Sequence, residues 1–98
     1  MPTDIKISCQ ELQDKFNRNE GGYPARIEEL RALCVYDKPA HALSGQPPGT
    51  MSKVFKYFDG NNAVMCLQFF VLPSGEIGAS GRRDPKRLLV GDTSYYCS

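Results

Sequence analysis

The run Ala63 to Leu72, AVMCLQFFVL, constrains the fold of this chain more than any other segment. It is too short to span a membrane as a helix, and Gln68 interrupts it, so it reads as one long strand. Alternate side chains of a strand point to opposite faces. Met65, Leu67, Phe69 and Val71 then share one face, and Val64, Cys66, Phe70 and Leu72 share the other. A hairpin strand with one wet face alternates apolar with polar residues, and this one does not. Both faces need cover. Helices can supply one; sheet curvature, a long loop or a second copy must supply the other. A homodimer is the expected arrangement, because two-fold dimers are the commonest soluble oligomers.

The flanking sequence supports a sheet around that strand. Lys53 to Phe58 alternates, Asp59-Gly60-Asn61-Asn62 supplies turn chemistry, and Pro73-Ser74-Gly75-Glu76 marks a second turn. Ile77 to Ser80, Leu88 to Val90 and Thr93 to Cys97 read as short strands, the last two joined at Gly91-Asp92. The first third has a helical period instead. Ser8 and Glu11 are spaced as a capping box, Cys9, Leu12 and Phe16 fall on one face, and Gly21-Gly22 ends the run. Pro24 then opens a second helix with Ile27, Leu30, Leu33 and Cys34 as its apolar stripe. Residues 37–50 hold three of the seven prolines and no period, so they form a long connection. The expected fold class is α+β, with two N-terminal helices packed on a four- or five-stranded antiparallel sheet. It is one domain over residues 1–98: a helical part at 8–35, the long loop at 37–50 and the sheet at 51–97. Helices followed by strands argue against a parallel α/β sheet, which needs alternation.

Charge narrows the choice of partner. The formal net charge of +1 excludes a strongly basic or acidic protein, but residues 81–87 carry four positive charges and one negative. Arg82, Arg83, Lys86 and Arg87 are the candidate partner-binding residues, since arginine forks and flanking glycines suit phosphate or carboxylate. The plainer reading is a solvated loop in which Asp84 pairs with an arginine and Pro85 fixes a turn. The spacing is not that of a phosphate-binding P-loop. Tyr57, Tyr95 and Tyr96 suggest a stacking platform or pocket, against the commoner cross-strand packing of aromatics. His41, the only histidine, lies in the long loop at the mouth of such a pocket.

No arrangement calls for catalysis. Glu28 and Glu29 diverge on their element, no Cys–His signature is present, and neither metal nor cofactor is expected. Cys9, Cys34, Cys66 and Cys97 lie 25, 32 and 31 residues apart, without the short spacings of zinc or redox motifs. Their apolar neighbours suggest reduced, buried thiols, with disulfides or a metal as alternatives. The first ten residues lack the charged-then-apolar plan of a signal peptide, so a cytoplasmic protein without membrane contact is expected.

The run LPSGEIGASGRRDPKRLLVGDTSYY, with the preceding FKYFDGNNAV, resembles small uncharacterised bacterial proteins of mobile gene pools, including integron cassettes and phage-associated genes. Their pattern is a Pro-x-Gly turn, then Ile-Gly-x-Ser-Gly, then Asp-Pro-Lys-Arg. The resemblance covers roughly residues 53–97. It implies a bacterial cytoplasmic setting and an accessory role, and brings no activity or catalytic residue. The leading functional reading is therefore a non-enzymatic binding or adaptor module whose basic loop contacts an acidic protein surface or nucleic acid. The alternatives are a small enzyme or ligand binder with an aromatic pocket, and a structural homo-oligomer.

Overall fold

The computed structural model describes residues 2–78 and 83–98. Its elements, in chain order, are β1 (Thr3–Lys6), α1 (Cys9–Asn17), a 3-10 turn (Pro24–Glu29), β2 (Arg31–Pro39), a second 3-10 turn (Ala42–Ser44), β3 (Met51–Asp59), β4 (Asn62–Val71), β5 (Asp84–Val90) and β6 (Thr93–Tyr96). The strands form one sheet in the order β1-β6-β5-β4-β3-β2. All pairs are antiparallel except β1 with β6, which makes the sheet mixed.

This corrects the expected class. The fold is mainly β, not two helices on a smaller antiparallel sheet. The second helix fails at Leu30, where the backbone turns extended after a short 3-10 segment. Residues 31–39 pair with β3 along its length. The stripe that suggested a helix required Leu33 to be buried, yet Leu33 is 50% exposed. Leu33-Cys34-Val35-Tyr36 contains the β-branched and aromatic types that suit a pleated surface, and a ready partner strand overrides a weak local period. The long loop shrinks because β2 takes residues 37–39. Of the strand expected over Ile77 to Ser80, the described residues show a bridge from Ile77 to Val71, and residues 79 and 80 lie outside the described residues. β5 begins at Asp84, four residues early, and absorbs most of the basic segment.

The first helix forms as the cap implies. The Ser8 hydroxyl accepts from the Glu11 N–H at 3.1 Å, satisfying one of the orphan donors at the helix start. Leu12 is fully buried and Phe16 packs beside it against Met65, Leu67, Leu88 and Tyr57. After α1 the chain passes so close to β5 that a Cβ on Gly21, whose φ is +81°, would collide with the Leu89 carbonyl oxygen. Ile27 and Leu30 from the 3-10 turn join the same core. Helix and turn thus cover one face of the sheet.

Two bulges set which residues reach which face. Tyr57 pairs with Met65 and Phe58 with Ala63, so Val64 is an extra residue on β4; Val64 and Met65 are both buried at 1% exposure. The other bulge lies on β5: Cys66 pairs with Arg87 and Leu67 with Pro85, leaving Lys86 as the extra residue. Bulges re-aim side chains in this way. The first removes Val64 from the supposed second apolar face of β4, and Leu72 lies beyond the end of the strand. What remains there is half-buried Cys66 and Phe70 with Gln68, which donates to the Ser52 hydroxyl at 3.1 Å. The apolar excess that argued for a homodimer is therefore mostly gone.

The cysteines depart from four reduced thiols. Cys9 at the start of α1 is bonded to Cys97 after β6, with Cα atoms 5.1 Å apart, tying the helix start to the end of the strand that pairs with β1. Cys34 is free and exposed, and Cys66 is free and half-buried. Among the described residues no helix is long and apolar enough to cross a membrane.

Candidate functional site

Strand register places two adjacent rows of side chains across the whole sheet. One runs Ala32, Tyr57, Met65, Leu88, Tyr95, Ile5 on the face that α1 covers. The next runs Leu33, Lys56, Cys66, Arg87, Tyr96, Lys6 on the opposite face, which carries no α-helix among the described residues. At about 4.8 Å between strands, this second row is roughly 24 Å long.

The open face is basic. By the same register it presents Lys6, Arg31, Lys38, Lys56 and Arg87 against the carboxylates Asp4 and Asp84, and Lys86, the extra residue of the β5 bulge, joins them beside Lys56, Cys66 and Arg87. Six cations against two anions leave a surplus of four in a chain of formal net charge +1, so the remainder carries −3. Aromatic rings lie among the cations. The Arg31 guanidinium stands 4.4 Å from the Phe58 ring centroid, Arg87 4.7 Å from Tyr96, and the Lys38 ammonium 5.5 Å from Tyr36. These pairs hold long side chains flat along the sheet. Arg87 is further fixed by Asp4 at 3.0 Å and the Ser94 hydroxyl at 2.9 Å. Lys56 and Lys86 have no ion pair among the described residues.

A hollow of about 220 Å³ opens at the centre of this face. Lys56, Ala63, Cys66, Lys86, Arg87 and Tyr96 line it. Cys66 lies on β4 between the cations of β3 and β5. Burial pushes its thiol up, and the charges of Lys56, Arg87 and Lys86 pull it part of the way back. All three cations therefore act on one point.

The sequence-derived candidates separate. Lys86 and Arg87 belong to the open face and line the hollow. Arg83 goes to the covered face, 5.5 Å from the Phe69 ring centroid and beside the Tyr57 hydroxyl. Burial pushes the Tyr57 hydroxyl up, opposed by the charge of Arg83 and its hydrogen bond. Arg82 lies outside the described residues. Tyr57 and Tyr95 share the covered row, where Tyr57 is 6% exposed and the Lys15 ammonium sits 4.3 Å from the Tyr95 ring centroid. His41 caps the 42–44 turn, its Nδ1 accepting from the Leu43 N–H at 3.1 Å. None of the three lines the hollow on the open face. Arg31, Lys56 and Phe58 were missed. The alternation over Lys53 to Phe58 carried the signal, since Lys56 and Phe58 are two apart and so share a face. Among the described residues no group of acidic, histidine and cysteine side chains is placed to hold a metal.

No family model matches the chain, and neither the curated proteins nor the solved structures contain a match to it.

Proposed function

We propose that the open sheet face binds single-stranded nucleic acid. The observation that carries this reading is the segregation of charge: six cations interleaved with Phe58, Tyr96 and Tyr36 on the face opposite α1. Phosphates would pair with the cations, and bases would stack on rings and guanidinium planes. An acidic protein surface would use the charges but has less need of the aromatics, so nucleic acid is favoured. A duplex is a poorer fit, because stacking on a sheet requires bases that are already splayed. In the cytoplasmic setting expected from the sequence, the Cys9–Cys97 pair would stand as two thiols, since disulfides persist mainly in oxidising compartments. The cations of the face sit on paired strands, and Cys97 itself lines the hollow they surround.

The test is fluorescence anisotropy with a labelled single-stranded oligonucleotide over a salt series, with polyglutamate as the acidic-protein control. Engagement of four phosphates predicts a slope of log K against log salt of about −2.8. Equal binding of polyglutamate would transfer the face to acidic proteins, and no binding of either would remove the proposal.

A further inference from the structure

The hollow at the centre of the open face has a shape and charge that the flat part of the face lacks. Lys56 enters it from β3, and Lys86 and Arg87 from β5, while Cys66 and Ala63 of β4 line it between them and Tyr96 supplies an aromatic wall. The β5 bulge makes this possible, because without an extra residue consecutive side chains would point to opposite faces. Arg87 is held by Asp4, Ser94 and Tyr96, which keeps its guanidinium in place before any ligand arrives. Lys56 and Lys86 keep their charges unpaired among the described residues. Three convergent cations specify an anion; an apolar lining with a tyrosine wall specifies that the anion is attached to something flat. At about 220 Å³ the space falls below the roughly 300–1,000 Å³ of drug-sized ligand sites, so the occupant is a small unit rather than a whole dinucleotide cofactor.

We infer that this hollow is a subsite for a single nucleotide, with the phosphate held by Lys56, Lys86 and Arg87 and the base set against Tyr96. It rests on the nucleic-acid reading and adds to it a fixed point on the face: one nucleotide of the strand enters the hollow while its neighbours lie across the sheet.

Cys66 reports occupancy directly. The wild-type protein, with its disulfide intact, has two free thiols, Cys66 in the hollow and exposed Cys34 on the edge strand. Alkylation of both with N-ethylmaleimide is followed by peptide mass spectrometry in the presence of adenosine monophosphate, inorganic phosphate or adenosine. The monophosphate at about ten times its Kd should slow labelling of Cys66 about tenfold, because only the unoccupied fraction reacts, and leave Cys34 unchanged. Inorganic phosphate should protect less and adenosine least. Calorimetry gives a second measure independent of thiol reactivity: Lys56→Ala/Lys86→Ala should lose monophosphate binding, while Arg83→Ala on the other face should keep it. If no monophosphate binding is seen by either measure while the oligonucleotide still binds, the subsite is overturned and the broader reading stands. Loss of both removes both. Protection by inorganic phosphate equal to that by the monophosphate would reduce the hollow to an anion site and overturn the role of Tyr96.

Discussion

On every strand of this sheet, two neighbouring residues take part in two different molecules' worth of chemistry. Tyr57 and Lys56, Met65 and Cys66, Leu88 and Arg87, Tyr95 and Tyr96 are adjacent in sequence, and each pair splits between the covered row and the open row. The covered face is closed by Leu12 and Phe16 of α1 and holds fully buried Met65, Leu67 and Leu88. The open row has charge instead of cover. Since the period of a strand is two, a register slip of a single residue would exchange the rows, burying Lys56 and Arg87 and exposing Met65 and Leu88. Stability of the covered row thus dictates the composition of the open one. The two can be perturbed separately, which is how the comparison is tested.

The largest effect belongs to the covered face. Leu67 is fully buried beside Met65 and Leu88, so Leu67→Ala should lower unfolding free energy by about 2–5 kcal/mol in a denaturant titration. Oligonucleotide affinity of the fraction that remains folded should be unchanged. If affinity falls in step with stability under conditions where the protein is fully folded, the two faces are not independent. Next in size is the Cys9–Cys97 tie, which closes a separation of 88 residues. Cys97→Ser should cost about 2–4 kcal/mol by the same measurement. Equal stability before and after reduction of the wild-type protein would mean that the tie does not form.

Lys56→Ala/Lys86→Ala addresses the open row. Lys56 is exposed and Lys86 half-buried, and neither belongs to the core cluster, so substitution should cost no more than about 0.5 kcal/mol and the melting transition should barely move. The salt slope of oligonucleotide binding should fall by about 1.4, two phosphate contacts' worth. The sharper comparison is Arg83→Ala, only three residues from Lys86 but on the covered face over Phe69. It should leave the slope intact. A drop equal to that of the double variant would restore the basic segment as a single patch and break the two-face description.

That contrast also shows what could be read from the sequence. Turns and caps were legible because they depend on neighbours: Ser8 caps α1, and Gly60 and Gly91 sit at φ of +60° and +59° in the two hairpin turns. The grouping of Arg83 with Lys86 and Arg87 was not, because a segment read as a loop has no faces. Once residues 84–90 form a strand with a bulge at Lys86, the cluster divides. The apolar run of β4 hid its own phase: with apolar residues at both parities, nothing in the sequence marks Val64 as the extra residue. β2 was misread because its partner, β3, begins 20 residues downstream, and β1 carried no assignment because parallel pairing with the last strand leaves no local signature at all. The Cys9–Cys97 tie spans nearly the whole chain and is equally silent.

The smallest effect sits at alkaline pH and involves one group from each face. Tyr57 on the covered face and Cys66 on the open one both titrate above their ordinary values, in each case chiefly because burial disfavours the charged form. A folded state that holds its proton more tightly than the unfolded one is favoured while both states are protonated, so this contribution is complete below the unfolded values of 9.0 for the thiol and 10.0 for the phenol. It is lost as pH rises through the folded values. Unfolding free energy should therefore decline above about pH 9, with a thiol stage that sets in from 9.0 and a phenol stage that sets in from 10.0. Cys66→Ser should remove the first stage and Tyr57→Phe the second, each compared with wild type over the same pH series. Nucleotide binding bears on only one of them. A phosphate beside Cys66 adds negative charge and should push its thiol higher still, moving the first stage to more alkaline pH, while Tyr57 across the sheet keeps its titration. A shift of both stages on adding monophosphate would show that the two rows are electrostatically one site after all.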